Sequence, residues 1–176
     1  MEVRRARTSD VPGIRALVDH YRSDGRLLGK ATVTLYEDVQ EFRVGVIDDE
    51  VVACGALHVL WKDLGEIRTL AVSPAHRGER IGDAILLHLL EDARELGLTR
   101  LFCLTFETGF FGRHGFLEIA GTPVSPDVYL ELRQSFDEGV AEFLELERVK
   151  PNVLGNSRML LLLDTAAVEE AVADSF

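Results

Sequence analysis

Residues 65–90, GEIRTLAVSPAHRGERIGDAILLHLL, constrain what this chain can fold into more than any other stretch. They read as a strand over 66–72, a turn started by Ser73-Pro74, a basic loop containing Gly78, and a helix opening at Gly82. A helix entered from a strand leaves its first backbone N–H groups without intrahelical partners and presents the positive end of the helix dipole. Such a junction can hold phosphate. The candidate groups are the N–H groups of residues 77–83, with the side chains of Arg77 and Arg80 adding charge. Spacing alone fits an ordinary strand–helix turn equally well. Asp83 suits the first helical turn, and its carboxylate is expected to face away from any bound anion.

The helix over 82–96 puts Ile85, Leu86, Leu89, Leu90 and Ala93 on one face and stops at Gly97. Residues 100–106 form a short apolar strand, expected to run parallel to the one before the helix and to complete a βαβ unit. Upstream, a strand over 3–6 leads to a helix in which Thr8-Ser9-Asp10 offer caps and Ile14, Leu17, Val18 and Tyr21 keep helical spacing to about Gly25. A loop over 26–31 precedes a second helical segment, with Leu35, Val39 and Phe42 at helical spacing. Residues 42–48 and 51–60 read as a hairpin. Downstream come one or two helical turns over 108–113, a strand over 116–119, a helix over 126–136 and a closing strand over 158–163. Residues 137–156 show no clear pattern, and the acidic, alanine-rich stretch 164–176 reads as a helix or a frayed end. No repeat or linker divides the chain. One domain is expected, with its core over 3–163.

Nineteen basic against thirty acidic residues give a net charge of −11, which argues against nucleic acid and anionic membrane surfaces as partners. A local basic cluster, His76, Arg77 and Arg80, therefore needs a reason. No apolar run reaches about 18 residues, and the opening residues lack the apolar core of a signal peptide. Cys54 and Cys103 lie inside apolar strand-like runs, as buried free thiols suited to a reducing cytoplasm. His58, His88 and His114 have no metal-ligand spacing, and no metal is expected.

The order β-α-α-β-β-β-α-β-α-β, with a phosphate loop after the fourth strand, resembles the GNAT acyl-CoA N-acyltransferase fold, an α/β (α+β) architecture. That family's loop reads Arg/Gln-x-x-Gly-x-Gly/Ala after a strand ending in Val-x-Pro. In VSPAHRGERIGDA, Val72, Pro74, Arg77 and Gly82 match, while Arg80 stands where the pattern has its first glycine. Arg80 must find a permitted backbone angle or use its guanidinium on the phosphate. The runs ACGALHVL, LGEIRTLAVSPAHRG, GLTRLFCLT, FFGRHGF and NVLGNSRMLLLL further resemble the acetyltransferase domain of N-acetylglutamate synthases. The resemblance implies a mixed sheet of six or seven strands flanked by helices, with a C-terminal helical insertion. It implies a short, stand-alone amino-acid N-acetyltransferase of the cytoplasm that uses acetyl-CoA on L-glutamate, with L-glutamine as the alternative, at the entry to arginine biosynthesis.

Three tasks follow from that resemblance. The cofactor is expected on Leu70, Ala71, Val72, Arg77, Gly78, Arg80, Ile81, Gly82, Asp83, Thr105 and Phe111. The acceptor ammonium must lose a proton, and Glu66 is the expected general base, acting through a water. Strand alternation would put Glu66, Arg68, Leu70 and Val72 on one face, with Ile67, Thr69 and Ala71 on the other. An acidic acceptor needs cations and hydrogen-bond donors, for which Lys30, Arg68, Asn156 and Arg158 are candidates; each taken singly fits a solvated surface group as well. Many similar enzymes place a tyrosine after the fifth strand as general acid. Here Phe110 and Phe111 occupy that region, which leaves water, the Thr105 hydroxyl or unassisted departure of the thiolate. The rival readings are a protein N-terminal or aminoglycoside acetyltransferase of the same fold, and a non-catalytic acyl-CoA-binding module. Residues 126–157 lie beyond the minimal fold, and a homodimer surface is one use for them.

Overall fold

A computed structural model describes residues 1–23, 30–146 and 155–163. Seven strands form one mixed sheet: β1 (Glu2–Arg5), β2 (Phe42–Ile47), β3 (Glu50–Trp61), β4 (Leu64–Val72), β5 (Arg100–Thr105), β6 (Leu117–Glu118) and β7 (Ser157–Leu162). Their spatial order is β1-β2-β3-β4-β5-β7-β6, and among the described residues only the β4–β5 pair is parallel. Among the described residues six α-helices join them: α1 (Val11–Ser23), α2 (Thr32–Glu37), α3 (Ile81–Glu95), α4 (Thr108–Arg113), α5 (Pro126–Leu132) and α6 (Glu138–Phe143). No helix among the described residues is long and apolar enough to cross a membrane.

The sheet is covered on both faces. Ile85, Leu86, Leu89, Leu90 and Ala93 of α3 are all buried, packed with Ala53, Leu57, Ile67, Leu101, Cys103 and the α4 residue Phe111. On the other face Ile14, Leu17, Val18 and Tyr21 of α1 pack on Val44, Cys54, Ala56 and Ala71. Beside them, Leu132 of α5 and Val140 and Phe143 of α6 close over Leu60, Leu64 and Phe102. Asp92 ties α3 to the far edge of the sheet through Arg5 at 2.9 Å and Arg43 at 2.7 Å. Asp48 and Asp49, at φ 50° and 65°, form the left-handed turn that the β2–β3 hairpin requires.

Four expectations need correction. The helical spacing of Leu35, Val39 and Phe42 does not carry one helix to Phe42: α2 ends at Glu37, and Phe42 begins β2, as the strand reading over 42–48 expects, with its side chain packed in the α1 core. The helix expected over 126–136 ends at Leu132, and Phe136 lies in the connection to α6, 96% exposed. Residues 137–156 contain α6, whose six residues are too few to show a period. The largest correction concerns β4. Its register against β3 shifts between Cys54 and Ala56, so that Cys54 faces Ala71 while Ala56 faces Arg68. The extra residue is a bulge in which Thr69 takes φ 57°. Alternation therefore breaks: Leu70 and Val72 pack toward α3 with Ile67, whereas Ala71 joins the α1 face. Glu66 and Arg68 do not share a face with Leu70 and Val72. The buried thiols are as expected; burial pushes Cys54 up to about 12 and raises Cys103 as well.

Candidate active site

β4 and β5 pair only over Leu64–Glu66 and Arg100–Phe102, and then part. Beyond that point the bulge turns β4 away, so the strand ends diverge and leave backbone groups without a ladder partner on either side. The gap is a cavity of about 770 Å³ bounded by both strand ends, by residues 76–83 and by α4. All eleven residues expected to hold the cofactor line it, together with Arg68 and Tyr21.

The loop is shaped by two left-handed residues. Gly78 has φ 85° and open space where a Cβ would stand. Arg80 has φ 60° and ψ 20° as the residue before α3, which is the glycine-like conformation adopted by an arginine. No side chain caps α3, so its first-turn N–H groups are left to the cavity. Gly82 is neither left-handed nor crowded, since an added methyl would meet Phe110 and Val72 only at 3.5 Å. Its contribution is room at the helix entrance. Asp83 does not turn away: its Oδ1 lies 2.7 Å from His114 Nε2, which links the first turn of α3 to the end of α4 across the cavity wall. The Arg113 guanidinium approaches the same Asp83 oxygen at 4.0 Å.

Tyr21 is a residue that its spacing alone identifies only as core. Its ring is buried on α1, while its hydroxyl donates to the Val72 carbonyl at 2.5 Å and accepts from Arg77 Nη2 at 3.2 Å. The Arg77 guanidinium also lies 5.6 Å from the ring centroid. A buried tyrosine needs a partner for its hydroxyl, and that requirement was the available signal. Across the gap, the buried Thr105 hydroxyl accepts the Glu107 N–H at 2.9 Å, which leaves its own proton to donate. Phe110 lines the cavity and Phe111 is buried behind it; neither has a proton to give.

At the vertex of the gap the groups are charged and buried. Glu66 is 6% exposed and does not itself line the cavity. Its Oε2 accepts from Arg68 Nη2 at 2.7 Å and Nε at 3.1 Å, and no donor among the described residues reaches Oε1. Arg68 also donates to both carboxylate oxygens of Asp137, at the start of α6, at 3.1 Å. Burial disfavours the Arg68 charge, but the two carboxylates outweigh it and raise its pKa. The remaining acceptor candidates lie apart from the cavity lining. Lys30 Nζ binds Asp38 at 3.2 Å, and most of its loop lies outside the described residues. Arg158 donates to the carbonyls of Gly121 at 3.0 Å and Phe143 at 2.6 Å and stacks 4.9 Å over Phe102, so it holds α6 to the sheet. Asn156 is half-buried just before β7.

A profile of the acetyltransferase (GNAT) family matches residues 14–118. An amino-acid acetyltransferase of Mycobacterium tuberculosis is 63% identical over 164 residues, 92% of this chain and 94% of that protein. One from Neisseria meningitidis is 35% identical over 118 residues, where the chain spans only 27% of the relative's length. Among solved structures, Rv2747 from M. tuberculosis in complex with CoA and NLQ superposes at a TM-score of 0.89, with 62% identity over 93% of this chain and 100% of that one. The N-acetylglutamate synthase of Neisseria gonorrhoeae, complexed with coenzyme A and N-acetyl-glutamate, gives 0.73 with 26% identity over 93% of this chain and 35% of that one. With a family profile matched over more than half of its length and a relative 63% identical over 92% of it, the chain belongs to the acetyltransferase (GNAT) family.

Proposed function

We propose that the protein, as one domain, transfers the acetyl group of acetyl-CoA directly to the α-amino group of a free amino acid, L-glutamate or L-glutamine. With glutamate the reaction would open arginine biosynthesis. The observation that carries the reading is the gap between β4 and β5, which has the left-handed Gly78 and Arg80 before an uncapped helix at its mouth and the buried Glu66 carboxylate at its vertex. The names of the relatives support the acceptor class.

The residues present fit acetyl-CoA. The cavity volume is that of a small-molecule site, and the left-handed Gly78 and Arg80 leave the α3 N-terminus open to a pyrophosphate. Arg77 and Arg80 add charge-assisted donors there. The unladdered edges of β4 and β5 offer backbone groups to an extended chain. Acetyl-CoA supplies the activated thioester. Glu66 Oε1 takes the proton from the acceptor ammonium through a water, which frees the lone pair for attack. The Thr105 hydroxyl can give its proton to the departing thiolate. Phe110 and Phe111 shape the channel. Leu130 and Phe136, exposed in the insertion, offer apolar surface to a homodimer.

Glutamine is a second reading, favoured by the excess of carboxylates around Glu66. A thiol-release assay with acetyl-CoA and a panel of free amino acids tests the proposal, and release unaffected by every amino acid would sink it. Glu66→Gln should lower kcat about 100-fold or more while acetyl-CoA still binds. Unchanged turnover would remove Glu66 from the chemistry.

A further inference from the structure

The guanidinium of Arg68 lies between Glu66 and the first turn of α6, and each side of its seat is specified. One edge meets Glu66 Oε2, and the other meets both oxygens of Asp137. Asp137 is itself fixed. Its Oδ1 also caps α6 by accepting the Val140 N–H at 2.8 Å, and its own N–H donates to Ser135 Oγ at 3.1 Å. Gly139 closes the seat. A Cβ at that position would stand 2.9 Å from Arg68 Nη2 and 3.0 Å from Cζ, inside contact distance of a side chain that is only 9% exposed. Gly139 does not need its conformational freedom, because it is absent from the left-handed residues. In a helical turn alanine would hold the backbone better. A glycine that serves neither its own backbone nor its helix makes room for the arginine.

The seat also decides which oxygen of Glu66 is engaged. Arg68 occupies Oε2 alone, and among the described residues no donor reaches Oε1. We infer that Asp137 and Gly139 are positioning residues: through Arg68 they hold Glu66 with Oε2 engaged and Oε1 presented to the acceptor amine. This inference rests on the proposed role of Glu66 as proton acceptor. It gives the α5–α6 insertion a part in the reaction, since α6 reaches the site through its first turn and not through a side chain in the cavity. Replacing a buried ion pair with apolar residues is often neutral or stabilising, so stability alone gives little reason to seat an arginine between two carboxylates.

The test uses Asp137→Asn and Gly139→Ala in the 176-residue chain, alone and combined with Glu66→Gln. Asparagine keeps the helix cap while removing the charge that meets Arg68. Alanine favours the helix while displacing the guanidinium. Each variant should lower kcat about tenfold or more, as a small misplacement of a reacting group does, with the acetyl-CoA KM within about twofold of the parent. Gly139→Ala should keep a single cooperative thermal transition, because the helix preference of alanine offsets part of what the displaced ion pair costs. In the Glu66→Gln background neither substitution should reduce kcat further. Parental kcat in both variants, beside a disabled Glu66→Gln, would overturn the inference while leaving the base assignment standing. Losses that multiply in the Glu66→Gln background would overturn it too, since the two residues would then act elsewhere. Loss of the thermal transition in Gly139→Ala would show the seat to be structural only. Parental turnover in Glu66→Gln alone would overturn the base assignment and this inference with it, and the single variant reveals that outcome directly.

Discussion

Arg80 stands at φ 60° and ψ 20° immediately before α3, where a Cβ crowds the next carbonyl at a cost of roughly 1–2 kcal/mol. Its backbone therefore does what a glycine would do, while its exposed guanidinium remains on the cavity wall. Arg80→Gly separates the two contributions. Relief of strain, reduced by the freedom glycine restores to the unfolded chain, should raise the melting temperature by up to about 2 °C. Loss of a charge-assisted donor should raise the acetyl-CoA KM about three- to tenfold and leave the amino-acid KM unchanged. Calorimetry and steady-state thiol release read the two effects separately. Asp137 makes a pH prediction at the same scale. Burial alone would raise its carboxyl, but the hydrogen bond and charge of Arg68, with the Val140 N–H and the charge of His58, outweigh it and hold it at about 2 against an ordinary 3.8. A depressed carboxyl contributes stability that is complete above pH 3.8 and is lost as pH falls toward about 2. For a partly exposed group the amount is on the order of 1 kcal/mol. Urea midpoints of Asp137→Asn should lie below the parent at pH 6 and converge with it near pH 2; a gap constant with pH would refute the pairing.

β4 is the element on which the site turns. Its first three residues pair with β5, its middle carries the bulge, and its end bounds the cavity. The bulge has a partner in β3: Gly55 leaves the space that Leu70 and the α3 residues Ile85 and Leu89 fill, each within 3.0 Å of where a Cβ would stand. Gly55→Ala should therefore overpack this seam, costing about 1–3 kcal/mol and lowering the melting temperature by roughly 2–10 °C. Because Leu70 must shift, the acetyl-CoA KM should rise in step; a stable variant with parental KM would break the link between bulge and cavity. This explains what could and could not be read from the residues. The α3 face, its parallel neighbour, the bounds of α4 and the loop over 77–83 follow from apolar spacing and glycine placement, which are local, while the other expected residues of the cavity lining rest on the resemblance to the GNAT fold. The bulge is not local. Alternation presumes an unbroken pleat, and threonine is a poor choice for positive φ, so Thr69 gives no warning; the feature that accommodates the shifted Leu70 is a glycine on the neighbouring strand. Asp137 and Gly139 were equally hidden, because α6 is shorter than two turns and its role appears only against Arg68.

Charge is distributed across the whole molecule in a way that bears on the acceptor. The cavity mouth gathers His76, Arg77, Arg80, Arg113 and His114 on a chain of net charge −11. The face around Glu66 is the reverse. Glu41 lies 2.6 Å from His58, Asp137 and Glu66 share Arg68, and Glu145 approaches Arg158 at 3.9 Å. Half-buried Glu142 has its carboxyl raised by burial and then by the charge of Glu66. Among the described residues this connected set holds five carboxylates against Arg68, Arg158 and one histidine. An α-ammonium is welcome there, but a second acceptor carboxylate is not. At an effective dielectric near 20, one uncompensated like charge about 6 Å away costs on the order of 1–3 kcal/mol, and each 1.4 kcal/mol is about tenfold in specificity. Glutamine should thus exceed glutamate in kcat/KM by about tenfold or more at low salt. Screening by 0.5 M salt should narrow that ratio, while it raises the acetyl-CoA KM by weakening the basic mouth. Thiol release measured for both acceptors at two ionic strengths decides the matter. Glutamate equal to or better than glutamine at low salt would mean that cations outside this set, such as Lys30 released from Asp38, meet the side-chain carboxylate.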